Sequence, residues 1–192
     1  HHFGHSPTAN AGGGKGEIGG RIYSAPQSPG YYAATVGKLT LDDPLTASGR
    51  VSLKQYGSDG AVCIGWFDSQ KRGYPPVNIL GVLIDGPTST PPKFQGWVAS
   101  SDPRLAHCER PSAAFIPPDG QSHTWQIDYR PEGGNGRGQM TIRLDSNESS
   151  FVLPEGVRKR GAAFDRFGIF VHEGGGRASV VYFDDLEFTV RE

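Results

Sequence analysis

The stretch Phe164–Val190, FDRFGIFVHEGGGRASVVYFDDLEFTV, sets two extended runs on either side of Gly174, Gly175 and Gly176. Runs rich in β-branched and aromatic residues around a glycine turn are the signature of an antiparallel hairpin. Side chains alternate between the two faces of a strand, so Phe167, Ile169 and Val171 oppose Gly168, Phe170 and His172. In the second run Val180, Tyr182, Leu186, Phe188 and Val190 share one parity, and Asp184 interrupts that apolar row. A carboxylate in a core-facing row is costly unless it is paired, bound to a metal or turned outward by a bulge. Asp184 is therefore the most informative anomaly in the chain.

The rest of the sequence follows the same pattern of short runs cut by turns. The 192 residues include 28 Gly and 15 Pro, and no helix-length apolar stripe with caps is present. Strands are expected at Glu17–Ser24, within Tyr31–Leu41, and at Leu45–Tyr56, followed by AVCIGWF up to Phe67. Further strands follow at Asn78–Asp85, Phe94–Ser100, Leu105–Arg110, His123–Tyr129, Met140–Leu144 and Phe151–Leu153, before the closing hairpin. The run NILGVLID reads as a strand buried on both faces, and PEGGNGR (Pro131–Arg137) as a hairpin loop. About a dozen short strands without an internal repeat predict an all-β fold: a two-sheet antiparallel β-sandwich of the jelly-roll kind. One such domain is expected over residues 17–192, after an extended glycine-rich lead-in over 1–16.

A formal net charge of −1 and a pI near 6.7 argue against a nucleic-acid partner, which needs a basic face. No apolar run is long enough to span a membrane as a helix. Cys63 and Cys108 fit either one disulfide or two buried thiols, and Asn147-Glu148-Ser149 is a glycosylation sequon. His1, His2 and His5 invite a copper reading, against which stands a tag remnant or a flexible terminus.

The segments FDRFGIF and VYFDDLEFT, echoed near the start by GEIGGRIYS, resemble the concanavalin A-like lectin/glucanase superfamily. That jelly roll is shared by legume-type lectins, laminarinase-type glycosidases and many carbohydrate-binding modules, including domains of the LamG kind. The resemblance implies a secreted, cell-surface or periplasmic protein that takes a polysaccharide or oligosaccharide, beside flanking domains of a larger chain. It also implies a structural calcium ion held by Asp184 on the last strand, with Glu17 on the first as its partner; calcium prefers such oxygen sets. Pairing of Asp184 with an arginine such as Arg21, or a bulge that turns it outward, are the alternatives.

Sugar recognition needs flat apolar platforms with amides, carboxylates and arginines nearby. The expected ligand contacts are Trp97, Gln95, Lys54, Arg143, Phe170 and His172, with Tyr31 and Tyr32 as rim residues. Trp66 and Trp125 ride with aliphatic neighbours and read as core. A glycosidase of this superfamily would need Glu-x-Asp-x-x-Glu on one strand, and no glutamate in the chain starts that pattern. A lyase would need a base beside a group that neutralises a uronate; His123, His172, Tyr129 and Arg143 are the residues available for that set. The leading expectation is a carbohydrate-binding module. The alternatives are a glycoside hydrolase or polysaccharide lyase, and a structural or adhesive sandwich with no sugar site.

Overall fold

The computed structural model describes residues 2–23, 30–57, 62–71, 76–87, 90–105, 111–171 and 177–191. The larger of its two sheets runs in the order β1 (His2–Ser6), β2 (Glu17–Ile22), β13 (Ser179–Phe188), β4 (Leu45–Gln55), β9 (Ser122–Arg130), β10 (Gln139–Leu144) and β11 (Asn147–Val152). The smaller runs β3 (Tyr31–Thr40), β12 (Ala163–Phe170), β5 (Val62–Phe67), β6 (Ile79–Asp85), β7 (Lys93–Ala99) and β8 (Ser112–Phe115). Every strand pairing is antiparallel, as in the predicted sandwich. Single helical turns occur at α1 (Gly133–Gly136) and α2 (Val157–Arg160).

The core lies between the sheets and follows the alternation of the strands. Leu45, Ala47, Val51 and Leu53 of β4 meet Trp125, Ile127 and Tyr129 of β9, together with Met140, Ile142 and Leu144 of β10. The facing layer is Ile64, Trp66, Leu80, Val82, Phe94, Val98, Phe167 and Ile169. Trp66 and Trp125 are core residues, as expected. So is Tyr129, whose hydroxyl donates to Leu41 O at 2.8 Å. Burial pushes its phenol well above the usual value.

The two runs expected to pair as a closing hairpin lie in different sheets, β12 between β3 and β5 and β13 between β2 and β4. The closing strand also departs from its expected parity. Val181 and Phe183 face the core, and Val180, Tyr182 and Asp184 face outward. The register then shifts between Asp184 and Glu187, where Asp185 takes a left-handed φ of 51°. This bulge restores the inward direction for Leu186 and Phe188, and the Phe188 ring stacks on Phe167 at 4.2 Å. A strict two-residue period cannot anticipate an inserted residue. Gly49 makes room for the bulge: a Cβ there would lie 2.7 Å from Asp184 O and 2.9 Å from Leu186 Cδ2.

The amino-terminal segment is part of the sandwich, where a lead-in was expected. β1 pairs with β2 from His2↔Arg21 to Ser6↔Glu17, and Phe3 packs on the core. Residues 7–16 then strap across the outer face of the larger sheet. Asn10 Oδ1 accepts from Lys54 Nζ at 2.7 Å, Ala11 O accepts from Ser122 Oγ, and Gly12 lies against the Asp184 carboxylate.

Candidate functional site

The two outer sheet faces differ in kind. On the smaller sheet Cys63, Phe67, Ile79, Leu83, Trp97, Ala99 and Phe170 form a second buried apolar cluster. Phe170 stacks on Trp97 at 6.4 Å and contacts Phe67 at 4.6 Å, and Tyr31 meets Phe67 edge-on at 5.4 Å. Across the middle of this face the register aligns Gly168, Gly65, Gly81 and Trp97. Trp97 is 0% exposed and Phe170 3%, so the expected sugar platform is not an open surface. Gln95 shares the face, half-buried, with its Nε2 donating to Asp85 O at 3.3 Å. His172 and Cys108 lie outside the described residues, as does the pairing of Cys63 with Cys108; Cys63 itself is buried.

The outer face of the larger sheet is polar and open beyond the strap. Register places Glu148, Arg143, Gln126, Ser48 and Glu187 in one transverse row over β11, β10, β9, β4 and β13. With strands ~4.8 Å apart, such a row spans roughly 19 Å. Arg143 ties it together, donating from Nε to Glu148 Oε2 at 2.6 Å and from Nη1 to Gln126 Oε1 at 3.1 Å. The next row holds Thr124, Arg50 and Asp184, and the bulge turns Asp185 to accept from Arg50 Nε at 2.9 Å. Two adjoining hollows lie along these rows. One, of about 310 Å³, is lined by Ser48, Gly49, Arg50, Thr124, Trp125, Gln126, Arg143, Asp145, Asp185 and Glu187. The other, of about 430 Å³, shares Ser48, Gln126 and Glu187 and continues to Thr46 and Thr189. Together they form a shallow trough.

Asp145 fixes one wall of that trough. It sits in the β10–β11 turn with φ 52°, and its carboxylate accepts from Thr124 N at 2.9 Å and meets His123 Nδ1 at 2.7 Å. Burial alone would raise the Asp145 pKa, but the His123 and Thr124 contacts hold it below the usual carboxylate value. His123 Nε2 is buried and has no partner among the described residues. The imidazole therefore buttresses the turn and does not present a base to the trough. Tyr129 points into the core, whereas Arg143 points out of the same sheet. The residues proposed for lyase chemistry are thus not assembled among those described.

Glu17 and Asp184 do lie close together, beside the paired residues Ile18 and Phe183. Their environment suits a strap anchor. The Glu17 carboxylate, 3% exposed, accepts from Thr8 Oγ1, from Asn10 N at 3.1 Å, from Asn10 Nδ2 at 2.9 Å and from Ala11 N at 2.8 Å. Burial raises its pKa, and these donors outweigh that effect and lower it. A ring of N–H and O–H donors does not fit a cation, which needs oxygen lone pairs in those positions. Among the described residues no group of three His, Cys, Asp or Glu side chains converges as a metal site. Arg21 is not the partner of Asp184, for its guanidinium lies over the Tyr23 ring. Lys54, an expected ligand contact, is held by Asn10 of the strap. Arg143 is the one expected contact that the structure places in the trough. Arg50, Gln126, Asp145, Asp185 and Glu187 were missed; the alternation of β9 and β10 carries signal for Gln126, while Asp185 depends on the bulge.

No family model matches this chain, and no curated protein matches it. Solved structures share its fold at low identity. The alginate lyase Aly36B superposes with a TM-score of 0.56 at 12% identity, over 90% of this chain and 80% of that one. The carbohydrate recognition domain of Emp47p gives 0.56 at 17%, over 96% and 87%. An alginate lyase from Pseudomonas aeruginosa gives 0.54 at 11%, over 97% and 86%. At these identities the likeness shows the two-sheet jelly roll, in keeping with the concanavalin A-like resemblance at the level of fold.

Proposed function

We propose that this chain is a carbohydrate-binding domain whose site is the trough on the outer face of the larger sheet, acting in a secreted, cell-surface or periplasmic polysaccharide-processing system. The observation that carries this reading is the transverse row Glu148–Arg143–Gln126–Ser48–Glu187. It sets carboxylate, guanidinium, amide and hydroxyl groups on adjacent strands, the donor and acceptor mixture that vicinal sugar hydroxyls pair with. Each of these groups already has its place on a rigid strand, so little ordering cost accompanies binding. The hollow of about 310 Å³ is at the small end of ligand sites, which span ~300–1,000 Å³.

A polysaccharide lyase is the second reading, since most of the similar solved structures described above carry that activity in their names. Asp145 and Arg143 in the trough lining, with His123 paired to Asp145, are what favours it in this chain. The buried, unpartnered Nε2 of His123 counts against it. The burial of Trp97 gives weight to a third reading, a sandwich that only builds structure, and the open polar trough counts against that.

The test is incubation with a panel of neutral and uronic polysaccharides, scoring retained protein and released products together. Retention without products, weakened in Arg143→Ala, supports the binding domain. Unsaturated products that vanish in His123→Ala and Asp145→Asn support the lyase. Neither retention nor products contradicts both readings.

A further inference from the structure

A third hollow, of about 350 Å³, lies away from the trough, between the α1 loop and the α2 turn. It is lined by Asp42, Gly136, Arg137, Pro154, Gly156, Arg158 and Lys159. The sequence marks this region as the basic turn of Glu155 to Gly161, a feature the proposed function leaves unused.

Arg158 is the organiser of the hollow. Its Nη1 donates to Pro131 O at 2.8 Å and to Gly136 O at 2.7 Å. Its Nε and Nη2 reach Asp42 Oδ1 at 3.1 Å and Glu132 Oε1 at 3.0 Å. The α1 loop that it clamps is tightly specified: Gly134 and Asn135 are both left-handed, with φ 61° and 60°. A Cβ at Gly134 would lie 2.3 Å from Val152 Cγ1, so the loop packs directly on β11. The charge of Arg158 is met by two acids. Arg137 and Lys159, in the same lining, have no carboxylate within ion-pair distance among the described residues, and Glu155 does not line the hollow. Two cations without counter-charge thus line a hollow whose backbone is fixed by a third. An exposed pair of like charges costs free energy that an anionic ligand removes.

We propose that this hollow binds the sulfate or carboxylate substituent of an acidic glycan, with Arg137 and Lys159 as the anion contacts and Arg158 as the positioning residue. The choice of a glycan over a bare anion rests on the proposed function and on a volume that exceeds a single oxyanion. The chain as a whole carries a net charge of −1, so generic adhesion to polyanions is not expected and retention would report the local site.

The test is affinity electrophoresis and column retention on heparin and on polygalacturonate, with double-stranded DNA and inorganic sulfate as the comparison arms. The expected result is retention on at least one acidic glycan at low salt, lost as salt rises. The double variant Arg137→Gln/Lys159→Gln should weaken it about tenfold with an unchanged melting temperature. Retention on neither glycan, or retention indifferent to the double variant, overturns the proposal. Equal binding of DNA with the same dependence overturns the glycan assignment, and binding of inorganic sulfate with no polymer retained reduces the site to an anion hole. Because the trough is read out separately by Arg143→Ala on neutral glycans, failure here and failure there are distinguishable.

Discussion

The outer faces of the two sheets are built from the same alternation and end in opposite states. On the smaller sheet the outward positions are Cys63, Gly65 and Phe67 on β5, Ile79, Gly81 and Leu83 on β6, and Trp97 on β7. Over these strands that face is buried like a core, while its β3 edge, at Tyr31, is exposed. On the larger sheet they are Thr46, Ser48 and Arg50 on β4 and Thr124, Gln126 and Asp128 on β9, and the face stays open beyond the strap. The larger sheet follows the usual rule for antiparallel sheets, core on one side and water on the other. The comparison teaches that an aromatic residue on an outward position is not thereby a platform. What makes a surface available to a ligand is a polar row that remains solvated.

The comparison breaks most directly at Trp97. Removing a fully buried indole leaves a cavity, so Trp97→Ala should lower unfolding free energy by about 3–5 kcal/mol. Arg143→Ala, on the open face, should cost less than about 1 kcal/mol. Urea titrations that found the two equal would dissolve the distinction between the faces. Glu17→Ala comes next. It leaves the strap donors of Thr8, Asn10 and Ala11 unsatisfied and should cost about 2–3 kcal/mol; a loss near zero would remove the strap from the account.

Acid sharpens the same point. The folded pKa values of Glu17 and Asp145 are both lowered. A depressed carboxylate contributes stability that is present above its unfolded value, about 4, and lost as pH falls through the folded value. Stability should therefore fall between roughly pH 5 and 2, and Glu17→Gln should fall less steeply over that range. Parallel pH profiles for the two proteins would contradict the role of Glu17. The smallest effect concerns calcium: a chelator or added calcium should leave the melting temperature within error of the untreated protein, since the Glu17 ring is made of donors. A clear rise with calcium would restore the metal reading of Asp184 and Glu17.

The sandwich was legible in the sequence because glycine and proline punctuate nearly every strand and the alternation of β4, β9 and β10 is clean. The site was legible only at Arg143. Trp97 and Gln95 share a parity, and parity gives the face of a sheet without saying whether that face is covered. Asp184 was visible as an anomaly because the bulge at Asp185 inverted the apparent core row, and sequence periodicity holds no signal for where a strand slips by one residue. The strap escaped notice for a different reason. Residues 7–16 are polar and glycine-rich, and their order depends on the Glu17 carboxylate, read in sequence as a metal ligand, and on Lys54 and Ser122, which are remote in sequence.

The central claim is that the polar row at Arg143 binds carbohydrate. The measurement that tests it most directly is retention of the wild-type protein and Arg143→Ala on immobilised neutral polysaccharides, with the melting temperature of each recorded alongside. The account predicts retention of the wild type, clear loss in the variant, and melting temperatures that agree. Equal retention of the two proteins, or no retention of the wild type on any polysaccharide, would contradict it.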